Sequence, residues 1–243
     1  MHPSQKTMPM IKMKDEGSQN GHDPVEWFVG QSLLLNLLGM VLFHYPDQEL
    51  VRTVLDEELF SEVPFASEQP DVISGSSLLH SWLSENKKRS EDELLSDLQA
   101  DYTRLFIGPG KVLAPPYESV HFSLHRLMFQ KETLQVRQWY ARFGLQSEKI
   151  YNEPDDHIGL ELVFMAHLAT QAATAAKQED GEMLDRMLEA QRMFASTHLF
   201  RWAFRWCDQV CEHTRTDFFR GIALMTRGSL LEIADVLGVE VQV

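Results

Sequence analysis

The sequence predicts an all-α fold, a single-domain helical bundle of about ten helices. Three observations carry that expectation. Apolar residues recur at helical spacing through most of the 243 residues; no run alternates apolar and polar residues as a half-buried strand would; and prolines, glycines and capping residues fall at helix-length intervals. Hydrophobic residues make up 44% of the chain, enough to bury a sizeable core.

Residues 1–23 mix Met, Lys, Gly, Ser and Asn without an apolar h-region or a small-residue cleavage site, so they read as a disordered lead-in rather than a secretory signal. The helical domain is expected over residues 24–243. Asp23 is placed to cap a first helix running from Pro24 to Tyr45, hydrophobic nearly all round and therefore central, and Pro46 ends it. Its apolar run from Leu33 to Phe43, interrupted by Asn36 and Gly39, is far shorter than the roughly 20 residues that span a bilayer. A weaker helix is expected over Glu49 to Phe60. From Glu62 to Gly75, with Pro64 and Pro70, the chain reads as a loop. Leu78, Leu79, Trp82 and Leu83 form a short stripe, and the charges between Glu85 and Glu93 read as a solvated turn. Ser90 and Glu93 make a capping box that opens a helix to about Phe106.

Gly108, Pro109, Gly110, Pro115 and Pro116 then interrupt regular structure, and breaker-rich loops of this kind often carry function. Helices are expected over Glu118 to Phe129 and Glu132 to Phe143, the second closed by Gly144. Pro154 suits the first position of a long helix reaching about Ala176. Gly181 to Phe194, Thr197 to His213 and Thr216 to Leu237 complete the set. Trp202 and Trp206 share one helix face and are expected to pack, and Met183, Met187 and Met193 to fill core gaps.

Charge narrows the partners. With 22 basic against 36 acidic side chains the net charge is −14, which disfavours nucleic acid and favours a basic ligand. Cys207 and Cys211 lack a second Cys or His pair at zinc spacing and read as packed thiols in a reducing compartment.

Two loop-to-helix junctions stand out. The first runs from Tyr102 through Leu105, Phe106 and Gly110 to Pro115, Pro116 and Tyr117; either its stiff loop beside aromatic side chains builds an apolar surface that need not be ordered on binding, or Leu105 and Phe106 are simply core and the prolines only shape a connection. Gly108-Pro109-Gly110-Lys111 lacks the spacing of a phosphate loop. The second is Glu153-Pro154-Asp155-Asp156-His157-Ile158. Asp155 and Asp156 are expected in a first helical turn, where the macrodipole favours each by roughly 0.3–1 kcal/mol without any function. His157 beside them opens three chemistries: carboxylates that pair with a ligand's arginines, a metal site with Glu161 at i, i+4, or a general base. No second His-bearing motif completes a metal shell and no nucleophile motif accompanies the histidine, so binding is favoured.

These blocks resemble the signatures of the TorD/DmsD family of redox enzyme maturation proteins. Tyr102-x-x-Leu105-Phe106-x-Gly108-Pro109, followed by Pro115-Pro116-Tyr117-Glu118-Ser119-Val120, is similar to the family's first block. Glu153-Pro154-Asp155-Asp156-His157-Ile158, with Glu161, Leu162, Phe164 and Met165, is similar to its second, and the resemblance spans about residues 25–237. It implies a TorD-like, non-enzymatic cytoplasmic chaperone of anaerobic respiration. Such a protein binds the twin-arginine signal peptide of a molybdopterin-dependent oxidoreductase of the DMSO/TMAO reductase type. It also assists the apo catalytic subunit in cofactor insertion, folding and export proofreading. Carried over, the peptide-contacting positions are Tyr102, Leu105, Phe106, Gly110, Pro116, Tyr117, Asp156 and His157, with Asp155 as a second partner for arginine. Tyr102, Gly110 and Tyr117 stand where some relatives have tryptophan. No metal, no resident cofactor and no membrane insertion are expected; GTP binding or weak GTPase activity, a NarJ-like assembly role for a leaderless client, and a monomer or helix-swapped dimer stay open. Replacing Asp156 and His157 by alanine is expected to weaken leader binding at least tenfold with little effect on the thermal midpoint.

Overall fold

The computed structural model describes residues 23–56, 67–146 and 153–241, and these hold ten α-helices and no strand. Residues 1–22 of the expected lead-in, the end of the second expected helix and most of the loop before Pro70 lie outside the described residues. The helices are α1 (Pro24–Phe43), α2 (Gln48–Asp56), α3 (Pro70–Asn86), α4 (Glu91–Tyr102), α5 (Glu118–Phe122), α6 (Lys131–Arg142), α7 (Ile158–Lys177), α8 (Gly181–Thr197), α9 (Ala203–His213) and α10 (Asp217–Leu237).

Local chemistry sets most of the boundaries. Asp23 accepts the Val25 N–H at 3.0 Å and opens α1. Ser90 and Glu93 close the expected capping box at α4. Gly144 and Gly238 take positive φ behind α6 and α10.

Four boundaries differ from expectation. Pro70 starts α3 instead of lying in a loop, because Gln69 caps it by accepting the N–H groups of Asp71 and Val72 and a proline is tolerated in the first turn. α5 stops at Phe122, and the apolar stretch after it continues as a loop with Arg126 and Phe129 at positive φ. α7 begins at Ile158 rather than Pro154, with His157 as its N-cap. α8 runs on to Thr197, and a 3-10 turn at Leu199–Arg201 precedes α9. Of the three methionines expected in the core, only Met187 is buried; Met183 and Met193 face solvent.

α1 lies along α7 and α3 along α10, with α8 on α7 and α9 on α10. Glycines make both long crossings close. A Cβ on Gly39 would stand 2.7 Å from the Gly159 carbonyl oxygen, and one on Gly159 would stand 2.6 Å from that of Gly39. Gly75 and Gly221 repeat the arrangement between α3 and α10. α1 and α7 are each long and apolar enough to cross a membrane, yet here they are partners in the core. Trp202, Trp206 and Cys207 are buried as expected, while Cys211 is half-buried.

The hydrophobic core is one cluster drawn from α1–α4 and α6–α10. Among the described residues α5 contributes nothing to it. Val120 of α5 is buried outside that cluster, and polar contacts anchor the rest of the helix.

Candidate functional site

The two junctions singled out in the sequence meet at α5. Tyr117 and His157 form an isolated antiparallel bridge, in which Ile158 N–H donates to the Pro116 carbonyl at 2.8 Å and Glu118 N–H to that of Asp156 at 2.9 Å. Asp156 completes the clamp. One carboxylate oxygen accepts the Ser119 N–H at 2.7 Å and the other the Thr133 hydroxyl at 2.7 Å, joining α5 to α6. Asp155 accepts from Arg137 of α6 at 2.7 Å, and its carbonyl accepts the Tyr140 hydroxyl at 3.0 Å.

Asp155, Asp156 and His157 are therefore buried, between the junctions, and not exposed in a first helical turn. The macrodipole does not explain them: α7 starts too late. Nor does unchanged stability follow from truncating Asp156 and His157, because both make buried contacts that alanine cannot replace. His157 Nδ1 accepts the Gly159 N–H at 3.0 Å, and its ring stands edge-on to Phe43 and Tyr117 at 5.1 and 5.2 Å. Burial, aided by nearby His44, lowers its pKa to about 3, so the ring is neutral and serves as a cap acceptor. His157 and Glu161 do not converge with a third ligand: no cluster of three or more metal-binding side chains exists among the described residues.

A buried acidic layer lies beneath. Glu118 points inward to His198 Nδ1 at 2.8 Å, and Glu161 accepts from the Trp202 indole at 3.4 Å. Burial raises both carboxyls, Glu161 strongly, and each keeps one oxygen without a hydrogen bond.

The first junction supplies the surface. Tyr102 is buried, its hydroxyl donating to the Leu42 carbonyl at 3.0 Å and its ring against Tyr45, Phe106 and Phe219. Leu105 is core, and Phe106 stacks on Trp206. Beyond a π-helical turn at Thr103–Ile107 the loop is pinned: Ala114 N–H donates to the Leu105 carbonyl, and the Trp206 indole to that of Ala114. Gly108 and Gly110 both take positive φ, and Gly110 is exposed.

Between this loop and the stretch after α5 lies a groove of about 550 Å3. Phe106, Pro116, Tyr117, Val120 and Met128 give it an apolar lining, and Gly110, Lys111 and Arg126 also border it. Tyr117 donates from its hydroxyl to Glu153, whose side chain is half-buried; burial and then that carboxylate push the phenol pKa up. Of the nine expected site residues the groove gathers Phe106, Gly110, Pro116 and Tyr117; the other five stand behind it. Arg126 and Met128 were missed because the segment reads as helix. Its exposed run of Leu124 (92%), Leu127, Met128 and Phe129 was the available signal.

The family model described as nitrate reductase delta subunit matches residues 70–208, which include both junctions and the groove. The chain belongs to that family. Its type is TorD/DmsD, as its relatives indicate. A Tat proofreading chaperone DmsD from Salmonella typhimurium is 28% identical over 200 residues, covering 81% of this chain and 85% of that one. A chaperone protein TorD from Aliivibrio fischeri is 25% identical, covering 82% and 86%, and one from Vibrio cholerae is 33% identical over 117 residues, 48% and 51%. A redox enzyme maturation protein of known structure from Archaeoglobus fulgidus is 21% identical with a TM-score of 0.45, covering 88% of this chain and 98% of that one.

Proposed function

We propose that this TorD/DmsD-type chaperone captures the twin-arginine leader of a molybdoenzyme precursor in the cytoplasm, by reversible binding in the groove and without covalent chemistry. What carries the reading is the groove itself: an apolar channel on a pinned loop, in a family whose relatives bear the names Tat proofreading chaperone DmsD and chaperone protein TorD. Phe106, Pro116, Tyr117, Val120 and Met128 suit the apolar stretch of a leader, and a rigid loop limits the ordering entropy lost on docking.

A leader's arginines need a carboxylate. Asp155 and Asp156 are buried and already hydrogen-bonded. Lys111 and Arg126 repel a guanidinium, so the favourable position for the arginine pair is beside Glu153, where Tyr117 offers its ring as well. In this reading Asp156 and His157 act through α5 and Tyr117, by holding the groove wall.

Calorimetric titration with synthetic leaders from the organism's molybdoenzymes tests the proposal. We expect one leader to bind, and binding to weaken at least tenfold when both its arginines become glutamine, and likewise in Met128→Asp and Glu153→Gln. Absence of binding to every leader would point to a leaderless client of the same enzyme class and overturn the proposal.

A further inference from the structure

A second cavity, of about 590 Å3, opens between α6 and the turn that joins α8 to α9. Two of its lining residues also touch α5, His198 bonding Glu118 and Arg201 lying over Phe122, while Val120, about 200° from Glu118 around that helix, lines the leader groove. α6 presents Gln135, Gln138, Trp139 and Arg142 to the cavity, and His198 and Arg201 stand across from them.

The charge of this cavity runs against that of the chain. In a protein of net charge −14, none of the described lining residues is acidic and two are arginines. Both guanidiniums are held on aromatic faces, Arg142 at 5.1 Å from the Trp139 centroid and Arg201 at 4.2 Å from that of Phe122. Neither has a hydrogen-bonded carboxylate among the described residues; the nearest to Arg201 is a Glu118 oxygen at 3.9 Å. His198 is 4% exposed and nonetheless lines the cavity. Its Nδ1 is occupied by Glu118, and its second ring nitrogen has no hydrogen-bond partner among the described residues.

We propose that this cavity binds a small multivalent oxyanion, a phosphate or a compact polycarboxylate, between the forks of Arg142 and Arg201 with the His198 ring and the Gln135 and Gln138 amides as further partners. Planar guanidiniums match such oxygens bidentately, and partial enclosure strengthens the attraction relative to open solvent. The site is separate from the leader groove and does not depend on the function assigned to it.

Calorimetric titration of the full chain with sodium phosphate and, in a second arm, sodium citrate, at ionic strength held constant with sodium chloride, tests the proposal. We expect saturable binding of at least one anion, weakened at least tenfold in both Arg142→Gln and Arg201→Gln. The arm that binds more tightly identifies the source of the oxyanion. Arg142 is exposed and does not touch Glu118, so its variant reports on the site without disturbing α5. No saturable binding in either arm, or binding unchanged in Arg142→Gln, overturns the assignment.

Discussion

Asp156 shows how a carboxylate can matter to a surface it never reaches. Its two oxygens take one backbone and one hydroxyl donor, and its carbonyl takes a third, two of them on α5, whose Val120 lines the groove, and one on α6. Removing the side chain strands a buried N–H and a buried hydroxyl, at about 1–3 kcal/mol for each donor left unpaired. We expect Asp156→Ala to lower the urea midpoint clearly and to weaken leader binding as a consequence. Weakened binding at an unchanged midpoint would instead mean direct contact with the peptide.

Glu161 makes the opposite kind of demand. Burial raises its pKa, so the folded state holds the proton more tightly than the unfolded chain does. That contribution is greatest at low pH, and stability falls as pH rises from the ordinary carboxylate range toward the raised value. Glu161→Gln has no such proton to lose. Its stability relative to the parent chain is expected to increase as pH rises above the ordinary carboxylate range, measured by thermal melts over a pH series. A constant difference would show that Glu161 does not titrate there.

At the scale of the element, the glycine crossings decide how close the helices come. Alanine improves helix propensity by about 0.8–1.0 kcal/mol over glycine, but at Gly159 its Cβ would meet a backbone oxygen that has no rotamer to move into. Overpacking of this kind costs typically about 1–3 kcal/mol, so Gly159→Ala is expected to destabilise on balance, measured by urea unfolding. The sequence disclosed helices where the signal is local. Ser90 and Glu93 interact within one turn, and Asp23 lies next to the N–H it caps. It misled where one residue type suits two positions: Pro70 breaks a helix or begins one, and only Gln69's side chain decides. Gly39 and Gly159 are 120 positions apart, and nothing near either announces the other. Shorter separations, of 18 to 37 positions, hid the burial of Asp155 and Asp156, whose partners Ser119, Thr133 and Arg137 belong to other elements. Motif resemblance located the site's blocks without saying which side chains face out.

At the scale of the whole molecule, a chain of charge −14 attracts a basic leader before any contact forms. Salt screens that long-range attraction with a Debye length of about 10 Å at 0.1 M, while apolar contacts in the groove persist. The association rate is therefore expected to fall as salt rises, with a much smaller change in dissociation, as stopped-flow measurement with a labelled leader would show. Equal effects on both rates would mean that the short-range charge contacts dominate.

The π-helical turn at Thr103–Ile107 has a consequence for how such a groove can arise. Gly108 N–H reaches back five residues, to the Thr103 carbonyl at 2.7 Å, where an α-helix would reach back four. The turn thus carries one residue more than the ladder requires. Deleting that residue would restore the ordinary ladder and swing everything after it by about 100° around the helix axis, carrying Gly110 and Val112 off the groove's rim. A single codon gained or lost at this point would re-aim the loop while leaving α4 intact, so the groove's direction can change between relatives by insertion as well as by substitution.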